Sequence, residues 1–177
     1  MICFAGTAMS QSPLPAPHSE FEIESAMLYN FTRFVEWPEG ALGPAGSPVV
    51  VGVVDGGEMA PILEQALANR TVGGHPIRVR RLNAGADLKS CAVLLVGSSG
   101  RQEIMRVVQS VERLPVLTIG EKSEFSKLGG IIAFIRDGNH IRFEINLDAA
   151  GRAQLQISSK LLRLAEVRRE SPAVGSN

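Results

Sequence analysis

The chain has 177 residues and no net charge, because 18 Lys+Arg balance 18 Asp+Glu. That balance leaves no broad electrostatic footprint for nucleic acid or an anionic membrane. Cysteine is scarce. Cys3 lies in the N-terminal segment and Cys91 heads an apolar run. A domain with one cysteine cannot form an internal disulfide, and Cys91 reads as a buried structural residue rather than a reactive thiol. The three histidines are His18 in the tail, His75 in a Gly/Pro turn and His140 beside a hairpin turn. None sits at metal-ligand spacing from a second ligand, so neither a metal nor another cofactor is expected. Aromatic residues make up 5% of the chain, with one tryptophan, Trp37. No apolar run is long enough to span a bilayer. The glycine fingerprints of dinucleotide and P-loop sites are missing, as is a Gly-x-Ser-x-Gly elbow.

What is present is ordinary globular usage, 45% hydrophobic and 20% charged, in a length that can bury a core without metals or cross-links. Residues 1–19 read as a signal-peptide remnant or a disordered tail. Met1–Ser10 is small and apolar but has no basic segment, and Gln11–Ser19 is a Pro/Ser linker. Residues 20–169 read as one α/β domain, and 170–177 as a second tail.

Within the domain, Glu20–Glu36 carries a helical stripe of Ile23, Met27, Phe31, Phe34 and Val35, ended by Trp37-Pro38. Gly40–Pro48 is a loop. Val49–Val54 is a continuous β-branched run broken by Gly52, which predicts a buried central strand. Glu58–Leu67 follows as helix, Thr71–Pro76 as a turn and Ile77–Leu82 as a strand. The basic run Arg78–Arg81 alternates, so it reads as a solvated strand face. Cys91–Val96 predicts a strand, Arg101–Val111 a helix and Val116–Gly120 a short strand. Ile131–Arg136 and His140–Leu147 form a hairpin through Asp137-Gly138-Asn139. Asp148–Gly151 breaks the alternation at a corner. Leu155 and Ile157 resume it briefly, and a serine-capped helix closes over Lys160–Ala165. The expected fold is α/β: a mixed, mostly parallel sheet flanked by helices on both faces, a Rossmann-like sandwich with a C-terminal antiparallel hairpin.

Two places bear on chemistry. Gly97-Ser98-Ser99-Gly100 joins a strand to a helix, a turn that can aim backbone N–H groups at an anion but more often only caps the helix. His140, Arg142, Glu144 and Asn146 fall on one face of a strand, opposite Ile141, Phe143 and Ile145. Four polar side chains in a row are either solvated or form a ligand or partner wall, on which Arg142 could hold a carboxylate or phosphate through two hydrogen bonds. Glu144, two residues from Arg142, reads as half of an ion pair rather than of an acid/base pair. Trp37, beside a proline at a helix end, is a candidate interface anchor. Helix capping accounts for Ser98-Ser99 and Ser158-Ser159 without nucleophilic catalysis, so no catalytic residue is assigned.

The segment Arg142–Ala165, RFEINLDAAGRAQLQISSKLLRLA, resembles the C-terminal signature of the YfiR-like family of periplasmic regulators. Tyr29-Asn30-Phe31, Phe34–Pro38, Gly74–Leu82, Leu117–Gly120 and Gly129-Gly130 also fall in the family's order, so the resemblance covers about residues 22–167. Some members carry disulfides, and this chain departs from them there. The resemblance implies a non-enzymatic repressor in the periplasm. It would bind the periplasmic part of an inner-membrane diguanylate cyclase and be relieved by an OmpA-like outer-membrane lipoprotein. Cyclic di-GMP and biofilm formation would thereby be controlled. It also implies a homodimer, while the balanced charge and the lack of a long apolar run lead us to expect neither nucleic-acid binding nor membrane insertion. The alternative is a small-ligand or nucleotide-binding α/β sensor using the Gly97–Gly100 turn.

Overall fold

A computed structural model describes residues 20–83, 86–97, 100–138 and 140–170. The elements, in chain order, are α1 (Glu20–Phe34), β1 (Val35–Glu36), β2 (Val49–Val54), α2 (Met59–Leu67), β3 (Thr71–Val72), β4 (His75–Leu82), a 3₁₀ turn (Leu88–Ser90), β5 (Val93–Val96), α3 (Arg101–Val111), β6 (Leu117–Gly120), α4 (Glu124–Lys127), β7 (Ile132–Asp137), β8 (His140–Asn146), α5 (Leu147–Arg152), β9 (Gln156–Ile157), α6 (Ser159–Leu162) and β10 (Glu166–Arg168).

The main sheet has eight strands in the order β10-β8-β7-β6-β5-β2-β4-β3. The run from β4 to β7 is parallel. An antiparallel pair is added at each end, β7–β8 and β3–β4, and β10 then lies parallel to β8. The sheet is therefore mixed. β1 and β9 form a separate two-stranded ribbon.

Two cores lie on the two faces of the sheet. On one, Val51, Val53, Val93, Leu95, Leu117 and Ile119 pack beneath Leu28 and Phe31 of α1 and Met59 and Leu63 of α2. On the other, Val54, Leu94, Val96 and Ala133 meet Ile104, Val107, Val108 and Val111 of α3 and Phe125 of α4. Strands used on both faces need apolar residues at every position, which is why β2 and β5 show no alternation. β4 alternates because its Arg78 and Arg80 face solvent.

Several expectations need correcting. α1 stops at Phe34, because Val35 and Glu36 pair with Ile157 and Gln156. Its buried face is Glu24, Ser25, Leu28, Phe31 and Thr32, whereas Ile23 is exposed. The buried face differs from the apolar stripe because polar residues occupy the inner side. Ser25 and Thr32 satisfy their hydroxyls on the carbonyls of Phe21 and Tyr29, at 2.6 and 2.7 Å, so helix backbone replaces water as their partner. The turn at Thr71–Pro76 is a small hairpin through Gly73-Gly74. The corner at Asp148–Gly151 is helix α5. The closing helix ends at Leu162 and gives way to β10. α4 and β10 had no expectation.

The order of strands reverses between β2 and β5. The chain leaves β2 through α2 toward β4 and leaves β5 through α3 toward β6. Ligands of open α/β sheets bind at such a reversal, beyond the strand C-termini. Here the two turns meet instead. Gly97 N–H donates to the Val54 carbonyl at 2.9 Å, and a Cβ on Gly97 would lie 2.5 Å from the Asp55 carbonyl oxygen. Gly97 is thus required by a close approach of backbone to backbone. Gly100, the α3 N-cap, has φ −68° and open space where a Cβ would go. Ser98 and Ser99 lie outside the described residues. Gly97→Ala is expected to destabilise by about 1–3 kcal/mol, and Gly100→Ala by less, about 0.5–1 kcal/mol, because alanine fits the site but is a poorer N-cap than glycine. Urea unfolding of the two variants checks the contrast.

Candidate functional site

The polar face of β8 is neither bare nor open. β7 flanks the strand antiparallel on one side, and β10 flanks it parallel on the other, with Glu166 opposite Glu144 and Arg168 opposite Asn146. His140 sits exposed at the hairpin end. Arg142 donates to Glu166 Oε1 at 2.7 Å and lies 3.6 Å from Asp137 Oδ2. Glu144, largely covered, accepts from Ser126 Oγ at 2.7 Å and lies 3.9 Å from Arg168. The expected pairing of Glu144 with Arg142 is therefore replaced by pairs to other elements, because β10 supplies charges of the opposite sign at each position.

Asn146 is fully buried. Its Oδ1 accepts from Ala149 N–H at 3.0 Å and caps α5. Its Nδ2 donates to the Ser126 carbonyl and to Glu170 Oε1, each at 3.0 Å. Every polar atom of the amide has a partner, as burial demands. The alternating strand pattern thus turns into a helix at a residue whose side chain holds α4, α5 and the segment after β10 together.

Glu170, the first residue of the expected C-terminal tail, is the hub that the sequence did not reveal. Arg152 Nη1 donates to its Oε2 at 2.7 Å and Nη2 to its Oε1 at 2.8 Å, a two-bonded fork. Its backbone N–H donates to Asp148 Oδ2 at 2.5 Å. Arg152 and Asn146 hold the Glu170 carboxyl below its ordinary range. Arg152 directly follows the stretch that reads as a corner, and Glu170 begins the one that reads as a tail, so neither carries a periodic signal.

Trp37 stands elsewhere. Its Nε1 donates to the Pro115 carbonyl at 3.1 Å. The ring lines an open cleft of about 590 Å³ with Arg33, Glu36, Leu42, Thr71 and His75. His75 Nδ1 lies 2.9 Å from the Ser47 carbonyl, so that nitrogen carries the proton. None of the cleft-lining residues belongs to β8 or β10, so the structure does not bring Trp37 together with the polar strand face.

A third group surrounds the buried Glu24. Its Oε1 accepts from Arg136 Nη2 at 3.3 Å, its Oε2 has no partner, and Arg136 Nε binds Glu20 at 2.5 Å. Burial pushes the Glu24 and Glu121 carboxyls up, against the pull of Arg136. A raised carboxyl contributes fully below its unfolded value, and that contribution is lost as pH rises through the folded one. Glu24→Gln is therefore expected to raise the melting temperature at pH 8 by more than at pH 5. Equal gains at both values would show that Glu24 is not the titrating group.

Chemically, these groups offer hydrogen-bond donors, acceptors and ion-pairing charges. Ser126, the hydroxyl beside a carboxylate, is fully buried and closed to a substrate. Burial pushes the Cys91 thiol up, away from the reactive thiolate. Among the described residues no cluster of His, Cys, Asp or Glu has the makings of a metal site.

The family model described as YfiR/HmsC-like matches residues 21–166. The chain belongs to that family. The YfiR/HmsC-like match ends just inside β10, so it takes in β8 and Arg152 but not Glu170. Among solved structures, the chain is similar to a conserved domain protein from Vibrio cholerae. The two share 14% sequence identity with a TM-score of 0.58, over 86% of this chain and 60% of that protein. At that identity the likeness speaks for the fold alone. Among the described residues no helix is long and apolar enough to cross a membrane.

Proposed function

We propose that this protein is a non-enzymatic periplasmic regulator that binds and inhibits the periplasmic part of an inner-membrane diguanylate cyclase, and so lowers cyclic di-GMP and biofilm formation. Membership of the YfiR/HmsC-like family carries the reading. An OmpA-like outer-membrane lipoprotein would relieve the inhibition by sequestering the regulator. Inhibition by binding needs only a difference in affinity between two states of the cyclase, and binding groups rather than a reactive constellation are what β8 and the Trp37 cleft offer. A homodimer belongs to the proposal, because the sheet ends on strands, β3 and β10, that have no outer neighbour among the described residues.

The test is a pull-down from solubilised membranes with the purified protein, read by mass spectrometry, alongside cyclic di-GMP levels in a deletion strain. Capture of a membrane cyclase and a rise in cyclic di-GMP are expected. An unchanged level in the deletion strain would defeat the reading. The Trp37 cleft favours a second reading, a small-ligand sensor. On that reading a ligand screen should raise the melting temperature, and Trp37→Ala should abolish the rise.

A further inference from the structure

The segment Glu166–Glu170 is joined to the domain in an unusual way. Its strand is three residues long. Its apolar side chains are hardly used: Val167 is 49% exposed, and Leu164 just before it is 74% exposed. What holds it is polar. Backbone pairs with β8, the Arg142–Glu166 ion pair and the fork from Arg152 to Glu170 do most of the work. A segment with little buried apolar surface opens at low free-energy cost.

The receiving side, by contrast, is built. Asn146 is fully buried and its amide is fixed at one end by Ala149 and at the other by Ser126. Glu112 Oε1 lies 2.9 Å from Arg152 Nε as a charge partner, without hydrogen-bond geometry. The two side chains present three N–H donor contacts to one carboxylate. Asp148 adds an acceptor for the backbone N–H of the residue that bears it. The β8 edge supplies the backbone pairing that fixes the register.

We propose that Asn146, Arg152 and the β8 edge form a recognition site for an extended segment bearing a carboxylate, that Glu166–Glu170 fills it in cis, and that an acidic extended segment of a protein partner takes its place in trans as an added strand. This rests on the reading of the protein as a binding regulator. The partner segment pairs with Glu144–Asn146 as β10 does and carries an Asp or Glu two residues beyond the position opposite Asn146, as Glu170 stands beyond Arg168. Main-chain pairing supplies affinity and the carboxylate supplies the choice. While the strap is seated the site is closed to the partner, because the tether keeps its own carboxylate at high effective concentration.

The test uses the full chain and a fluorescent peptide of residues 163–170, read by anisotropy. Against the parent protein the peptide competes with the strap and binds weakly. Against Glu170→Gln it is expected to bind about tenfold tighter. Arg152→Met and Arg152→Lys should both abolish the gain, since lysine keeps the charge but not the fork. A peptide with Gln in place of its own Glu170 should not bind. Circular dichroism melts of each variant confirm folding. No binding to Glu170→Gln, or equal binding of the acid and amide peptides, overturns the proposal. A membrane pull-down separates the two readings. Cyclase captured equally by parent and Arg152→Lys proteins keeps the regulatory function and removes the strap site. Peptide binding with no cyclase captured does the reverse.

Discussion

Phe125→Ala is expected to lower stability by about 3–5 kcal/mol, measured by urea unfolding. The ring is fully buried in the core under α3 and α4. It is held between two glycines. A Cβ built on Gly120 would fall against Phe125 Cγ and Cδ2, and one built on Gly130 against Cε1 and Cδ1. Neither glycine has a positive φ, so their role is space and not backbone freedom. A double-mutant cycle follows from that geometry. Gly130→Ala alone should cost about 1–3 kcal/mol by overpacking. In the Phe125→Ala background the same change should cost little, because the ring it would strike is gone. Additive losses would mean that Gly130 serves some purpose other than making room for Phe125.

Asn146→Leu is expected to cost about 2–4 kcal/mol, combining a lost helix cap with buried groups left unpaired. The side chain is similar in size, so the loss reports hydrogen bonding more than volume. The Ala149 N–H and the Ser126 carbonyl would be stranded inside the protein, and Glu170 would lose one donor. Asn146→Asp keeps the cap but sets a carboxylate against the Ser126 carbonyl and the Glu170 carboxylate. That introduced acid would have a raised folded pKa, so its penalty is expected to grow as pH rises from 5 to 8. Glu170 has the opposite sign, because its lowered pKa makes its contribution present at neutral pH and lost in acid. Unfolding curves at pH 5 and 8 follow the first trend, and curves taken in acid, at about pH 3, follow the second.

The parts of the sheet legible in the sequence were those with a strong local pattern. The fully apolar runs β2 and β5, the amphipathic α3 and the β7–β8 hairpin all lie close to where periodicity and turn residues put them. α1 was legible as a helix but not in its phase, because Glu24, Ser25 and Thr32 face inward. β1, β3, α4 and β10 are each two to four residues long and show no apolar run or period that sets them apart from the neighbouring helix, turn or loop. Among the site residues, the alternation of β8 put His140, Arg142, Glu144 and Asn146 on one face. It did not tell that the face runs from solvent at His140 to full burial at Asn146.

The sequence by itself determined the class of elements and a family resemblance that the match over residues 21–166 bears out. Hydrophobic period and turn chemistry are local, and those properties follow from them. Only the tertiary structure decided what covers β8. Arg152 and Glu170 stand 18 residues apart, and the fork between them exists because α5 turns the chain back and β10 lies down beside β8. A contact between distant residues is a property of chain path, and no window of neighbouring residues contains it.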